Sequence, residues 1–215
     1  MKAYKVLALV AIALAPFAAN AQLQKADGNA NVSKVASANA SLSSLQCPFK
    51  RTVKQAALSE ASSAAGSFFF ASPSSLCMKY DSGDNLVIAD GKVAMNLGGK
   101  QRTLNSGNHH VEDLAETLLA CVQGKVASID GTLESAKSVG QKLVFSISTD
   151  LTVARAKIVK MEVAYDASDL TLASIKLFEK DGSYQLYELS SKSINKSIDK
   201  SVFTIAARSS NRHSK

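Results

Sequence analysis

The side chains of this chain best suited to covalent or metal chemistry are few: Cys47, Cys77, Cys121, His109, His110 and His213. No two cysteines stand at the C-x-x-C spacing of a zinc site. The adjacent pair His109-His110 opens an expected helix, where neighbouring side chains point about 100° apart and a chelating pair needs i, i+4. A Cys121–histidine nucleophile pair lacks a supporting context. The chain carries no glycine-rich phosphate loop and no nucleic-acid module. These residues argue against a metalloenzyme; no catalytic residue, metal or cofactor is expected. Cys47 and Cys77 fall two strands apart in the expected strand order, roughly 9–10 Å, beyond the bridging limit of about 7 Å. The thiols are therefore expected to be mostly buried and free, even in an exported chain.

The elements that hold such residues come from a globular composition. The 215 residues are 46% hydrophobic and 20% charged with only 3 Pro, which excludes a disordered or collagen-like chain. Met1 to Lys5 is a short positive head, Val6 to Ala19 an apolar run, and Ala19-Asn20-Ala21 a small-x-small cleavage site. Residues 1–21 thus read as a signal peptide, too short to span a bilayer that needs about 20 apolar residues. Cleavage would leave 194 residues (215 less 21) and reduce the formal net charge from +7 to +5, since Lys2 and Lys5 leave with it. Residues 22–215 are expected to form a single exported domain with a structured core at about 32–206.

Asn31 can cap a helix whose apolar stripe is Val32, Val35, Ala38, Leu42 and Leu45, with Asn39 on the polar face. From Pro48 the period changes to two. Strands are expected at 49–54, 66–71, 76–80, 86–89, 92–95 and 101–104, with 58–65 a Ser/Ala-rich connection. Asp90-Gly91 suits a two-residue hairpin turn with positive φ at both positions. Asn108 caps a second helix with an apolar face of Val111, Leu114, Ala115, Leu118, Leu119 and Val122, ended by Gly124. Strands resume at 143–148, 156–165, 172–179, 184–189 and 202–205, and the tail from Arg208 is basic and Ser-rich. The links are too short for parallel crossovers. The expected class is mainly β (α+β): a strongly curved antiparallel sheet forming an open half-barrel, covered by lid helices.

This order of pieces resembles the outer-membrane lipoprotein carrier (LolA) family. The resemblance lies in the helix leading into Leu45-Gln46-Cys47-Pro48-Phe49-Lys50-Arg51, in Gly66-Ser67-Phe68-Phe69-Phe70, and in Ser72-Pro73 followed by Leu76 to Tyr80. Asn85 to Lys92 is similar to the family's apolar strand–D-G-K hairpin, and Asn195 to Ile205 to its N-x-x-I-x-x-x-x-F-x-I close. The resemblance implies a monomeric periplasmic carrier without chemistry. It would shield lipoprotein acyl chains in an apolar cavity, receiving them from an inner-membrane lipoprotein-releasing transporter and passing them to an outer-membrane acceptor. Three features depart from the pattern, one being that Leu58 to Ala65 is rich in Ala and Ser where the family has a polar turn. Ser72 stands where the best-studied members carry an Arg that latches the lid, and Phe49-Lys50-Arg51 lacks the family's Gln.

The residues support such a role physically, because each exposed CH₂ of an acyl chain costs about 0.8 kcal/mol and a carrier needs a concave apolar wall. Three successive Phe put an aromatic on both faces of one strand, Phe68 and Phe70 on one side and Phe69 on the other. Leu76, Met78 and Tyr80 share a face of the next strand, and Met adapts to variable chains. Leu86, Ile88, Phe49, Leu118 and Leu119 complete the expected lining. Plain core has the same chemistry, so these ten residues read equally as lining or as core. The alternatives are a periplasmic binder of another hydrophobic ligand or lipid, without lipoprotein transfer, and a surface-exposed interaction protein that binds through its sheet.

Overall fold

The computed structural model describes residues 28–104, 109–153 and 156–205. The expected signal peptide, the Asn108 cap, the tail from Arg208 and the side chains of His109 and His110 lie outside the described residues.

Residues 28–39 form the first helix, α1. It starts before Asn31, and it stops at Asn39 rather than running to Leu45. Asn39 is buried at the stop. Its Nδ2 donates to the carbonyl of Val35 at 2.9 Å and to that of Leu170 at 2.7 Å, so the last turn is tied to a distant loop. Leu42 therefore leaves the helix, and Leu45 enters the first strand.

Six strands follow as a meander: β1 (Ser44–Lys54), β2 (Ala61–Ala71), β3 (Ser75–Tyr80), β4 (Asn85–Ala89), β5 (Lys92–Leu97) and β6 (Lys100–Leu104). The Asp90-Gly91 turn has φ of 50° and 68°, the conformation expected of it. The supposed connection over 58–65 is shorter than expected. Ala61 to Ala65 belong to β2 and pair with Lys54 to Lys50 of β1, so ladder hydrogen bonds override the weak strand propensity of Ala and Ser.

Helix α2 (His109–Val122) and a 3-10 turn at Val126–Ser128 lead to a second set of strands. These are β7 (Thr132–Val139), β8 (Lys142–Ser148), β9 (Thr152–Val153), β10 (Ala156–Asp166), β11 (Leu172–Glu179), β12 (Tyr184–Leu189) and β13 (Ser193–Ile194). The short strands β9 and β13 and the edge strand β7 were not expected. Strand β7 is mostly polar and exposed, and only its pairing with β8 reveals it. Residues 202–205 were expected as a strand. Instead a 3-10 turn occupies Lys200–Phe203, capped by the Asp199 carboxylate, which accepts from the Ser201 N–H at 2.9 Å.

The sheet runs β6-β5-β4-β3-β2-β1-β12-β11-β10-β8-β7, antiparallel throughout and not closed. Two meanders meet where β1 pairs with β12, with Phe49 opposite Leu189 and Lys54 opposite Tyr184. Their free edges, β6 and β7, are the two strands that α2 connects. The chain must therefore cross from one edge of the sheet to the other through α2, and that helix touches β5 on one side and β9 and β11 on the other. The connectivity lays the helix across the concave face as a lid.

Candidate functional site: the concave face and its lid

Pairing registers place one continuous apolar surface on the concave side. Leu45, Phe70, Leu76, Ile88 and Val93 lie in one row across β1 to β5, and Cys47, Phe68, Met78 and Leu86 in the next. Phe49, Gly66 and Tyr80 make a third, in which the Phe49 and Tyr80 rings meet edge to face at 5.0 Å and 84°. Gly66 is required there. A Cβ would stand 2.2 Å from the Lys79 carbonyl oxygen and 2.8 Å from the Phe49 ring.

All ten side chains expected to line a cavity fall in this one apolar cluster. Phe49, Phe68, Phe70, Leu76, Met78 and Ile88 are buried; Tyr80, Leu86, Leu118 and Leu119 are half-buried at its margin. The second half of the sheet contributes as much: Leu143, Phe145 and Ile147 of β8, Met161, Val163 and Tyr165 of β10, and Ile175 and Leu177 of β11. The lining expected from the sequence does not include them, although their period-two alternation is visible in it. Phe69 points to the convex side, where it packs with Cys77, Val87, Ala89, Phe203 and Ile205. The C-terminal segment thus covers the outer aromatic that the Phe triplet puts there.

Three contacts hold the lid. The Tyr165 hydroxyl donates to the Cys121 carbonyl at 2.7 Å, joining β10 to the end of α2. At Gly124 (φ +69°) a Cβ would approach the Val35 carbonyl oxygen at 2.8 Å and the Asn39 amide nitrogen at 3.0 Å, so glycine lets α2's exit press directly on α1. The Gln123 side-chain amide donates to the carbonyl of Pro73. Ser72, at the latch position, is exposed, and its N–H donates to the Ser43 carbonyl at 2.9 Å. Thus the neighbouring backbone carbonyl, rather than a side chain at 72, receives the tie from the helix.

Arg51 also faces the concave side, at its uncovered end. Its Nη2 donates to Gln185 Oε1 at 2.8 Å, and its guanidinium carbon lies 5.8 Å from the centre of the Tyr187 ring. The Tyr80 hydroxyl beside it is held neutral by burial and by the neighbouring Tyr187. Burial likewise pushes the thiols of Cys47 and Cys121 up to about 12 and that of Cys77 to about 11; all three are free and buried. Such thiols are poor nucleophiles. Among the described residues, no group of three or more His, Cys, Asp or Glu side chains is placed to hold a metal.

The interior is filled by the chain's own side chains: Leu45, Phe70, Leu76 and Tyr165 have no exposed surface. The clefts of about 1250 Å³ and 320 Å³ that open on the surface share no residue with the ten. The chain's own side chains thus occupy the concave face beneath the helices.

A family model described as outer membrane lipoprotein carrier protein LolA matches residues 40–206. Among curated proteins no match was found. An uncharacterized conserved protein from Thermus thermophilus shares the fold at 7% identity, covering 84% of this chain and 95% of that chain with a TM-score of 0.50. A putative outer membrane lipoprotein-sorting protein domain from Vibrio parahaemolyticus is similar at 8% identity, covering 83% and 96% of the two chains (TM-score 0.48). A LolA superfamily protein from Nitrosomonas europaea, also at 8% identity, covers 83% and 97% (TM-score 0.43).

Proposed function

From the premise that the chain belongs to the outer membrane lipoprotein carrier protein LolA family, we propose that it is exported to the periplasm and carries the acyl chains of a lipoprotein between the concave sheet and the helices α1 and α2. The observation that carries this reading is the continuous apolar surface from β5 through β1 to β8, covered by a lid that rests on a few specific contacts. In the closed state the side chains cover one another. In the loaded state acyl CH₂ groups replace them against the same wall, each worth about 0.8 kcal/mol. The cargo would come from an inner-membrane lipoprotein-releasing transporter and pass to an outer-membrane acceptor. The ten lining residues act by apolar contact, and no step is catalytic.

A second reading, a carrier of another hydrophobic ligand, is favoured by one observation. Ser72 replaces the latch arginine, and Gln123 ties the helix to the Pro73 carbonyl instead, so lid control differs from that of the best-studied members.

The test is binding of a triacylated lipopeptide against binding of a free fatty acid by the purified protein. Leu118→Asn and Leu119→Asn are suited to it because these side chains are only half-buried, so the fold is kept, as circular dichroism would verify. Loss of lipopeptide binding in both variants, with binding of the parent, supports the carrier. Parental binding in folded variants would remove these residues from the lining. Binding of fatty acid but not lipopeptide selects the second reading.

A further inference from the structure

The cleft of about 1250 Å³ lies outside the concave face, between the ends of β1 to β5 and the C-terminal segment that crosses the convex side. A water molecule takes about 30 Å³ of liquid, so this space far exceeds the needs of a bare anion. Its lining is mixed: serines from the ends of β1 to β3 alternate with an apolar part made by Ala89, Phe203 and Ile205, which belong to the convex cluster that also holds Phe69. Lysines reach it from both walls: Lys92 at the start of β5, and Lys196 and Lys200 on the crossing segment. Among the described residues, Asp90 is the one carboxylate in the lining. All three lysines are solvent-exposed, and together they give the cleft a positive field that favours an anion.

The cleft is held in shape before anything binds. Asn195, at φ +55°, accepts through Oδ1 from the Ser43 N–H at 2.8 Å and the Ser43 hydroxyl at 3.0 Å. The Ser44 hydroxyl donates to the Lys196 carbonyl at 2.6 Å. These bonds clamp the crossing segment to the start of β1, and a pre-formed site loses less freedom on binding.

We propose that this cleft is a second lipid site, one that takes the phosphate headgroup of an anionic phospholipid, with the lysines on the phosphate and the Phe203–Ile205 wall against the glycerol and first methylenes. A lysine ammonium suits phosphate as a point charge. An extended acidic peptide fits less well. The strand backbone beneath the cleft is that of β1 to β5, which are interior strands whose N–H and C=O groups are engaged with neighbours on both sides, leaving no edge for strand addition. The site shares no residue with the concave lining, so it stands or falls apart from the carrier reading.

Vesicle flotation with the exported chain, residues 22–215, tests it, using phosphatidylcholine alone and phosphatidylcholine doped with phosphatidylglycerol. Binding is expected only to the doped vesicles. Each lysine beside an anionic surface is worth about fivefold in partition, so Lys92→Ala/Lys196→Ala/Lys200→Ala together should lose about a hundredfold. Lys50→Ala/Lys137→Ala/Lys180→Ala removes the same charge from exposed positions outside the cleft and should keep most of the binding. Phe203→Ser, with all charges kept, should weaken it severalfold. Equal loss in the two triple variants would show diffuse charge attraction and overturn the site. Undiminished binding by Phe203→Ser together with displacement by inorganic phosphate would reduce it to a free-phosphate site. Displacement by a polyglutamate peptide at matched charge would make it a peptide site. Either result refutes the lipid assignment.

Discussion

The hydroxyl of Tyr165 is the smallest part of the protein whose removal should loosen the lid. Tyr165 is fully buried, packs edge to face on Phe145 with centroids 5.7 Å apart, and donates to the Cys121 carbonyl. Tyr165→Phe keeps the ring and deletes the donor. A buried acceptor left without any partner would cost up to about 3 kcal/mol. Here the Cys121 carbonyl also accepts from the Gly124 N–H, at 3.3 Å, so one partner remains. The loss should therefore be nearer the net value of one hydrogen bond, about 1 kcal/mol. For a chain of this size that lowers Tm by about 2–4 °C. Tyr165→Ala removes the ring as well and should cost roughly 3–5 kcal/mol. Thermal unfolding by circular dichroism measures the global change. Amide exchange over Leu118 to Gln123 and binding of a hydrophobic dye measure the lid. Tyr165→Phe should exchange faster in that segment and bind more dye. If its Tm and its α2 exchange match the parent, the hydroxyl is not a tie and the account of lid closure fails.

Other outcomes follow from the same geometry. Gly66→Ala should destabilise strongly or fail to fold, because the added Cβ meets backbone at 2.2 Å and the Phe49 ring at 2.8 Å; Gly91→Ala, at a turn with open space, should cost far less. Soluble yield and Tm compare the two. The Lys192 side chain is largely covered, with 8% of it exposed, and is paired with Asp166 and, at 3.7 Å, with Asp169. Lys192→Met keeps the stem and strands two carboxylates, but these are 32% and 40% exposed and stay hydrated. The loss should be about 2 kcal/mol, below the roughly 3–5 kcal/mol typical of a broken buried pair, as urea unfolding would read. The thiols give a pH dependence. Their folded pKa values are raised above the ordinary 9.0 by burial, so an unfolded chain releases those protons first as pH rises. Stability should be unaffected by them below pH 9 and fall from there towards about 11 for Cys77 and about 12 for Cys47 and Cys121. Replacing Cys47 and Cys121 by Ala should flatten that alkaline fall, and an unchanged slope would contradict it.

The period-two alternation of Phe68, Phe70, Leu76, Met78 and Ile88, the Asp90-Gly91 turn, the helix break at Gly124 and the absence of paired metal spacings were all legible in the linear chain, because each depends on neighbours a few residues away. The same local physics separated Phe69 from its two neighbours. Other features depend on partners far along the chain. Strand β7 shows only a weak apolar signal, because Leu133 and Ala136 alone turn to the core and most of its residues are polar and exposed. Ala61 to Ala65 form a strand because Lys50 to Lys54 lie opposite, not because alanine favours one. Asn39 lies on the polar side of α1, and its burial depends on the Leu170 carbonyl, 131 residues away, as acceptor. The join of β1 to β12 decides that both meanders curve round one interior, and the connection from edge to edge decides that α2 closes it. Tertiary structure alone also decided that the concave wall is filled in the closed state, and that Lys92 and the lysines at 196 and 200 converge on a separate cleft. Loop closure and side-chain packing bring these residues together, and neither leaves a periodic trace in the sequence.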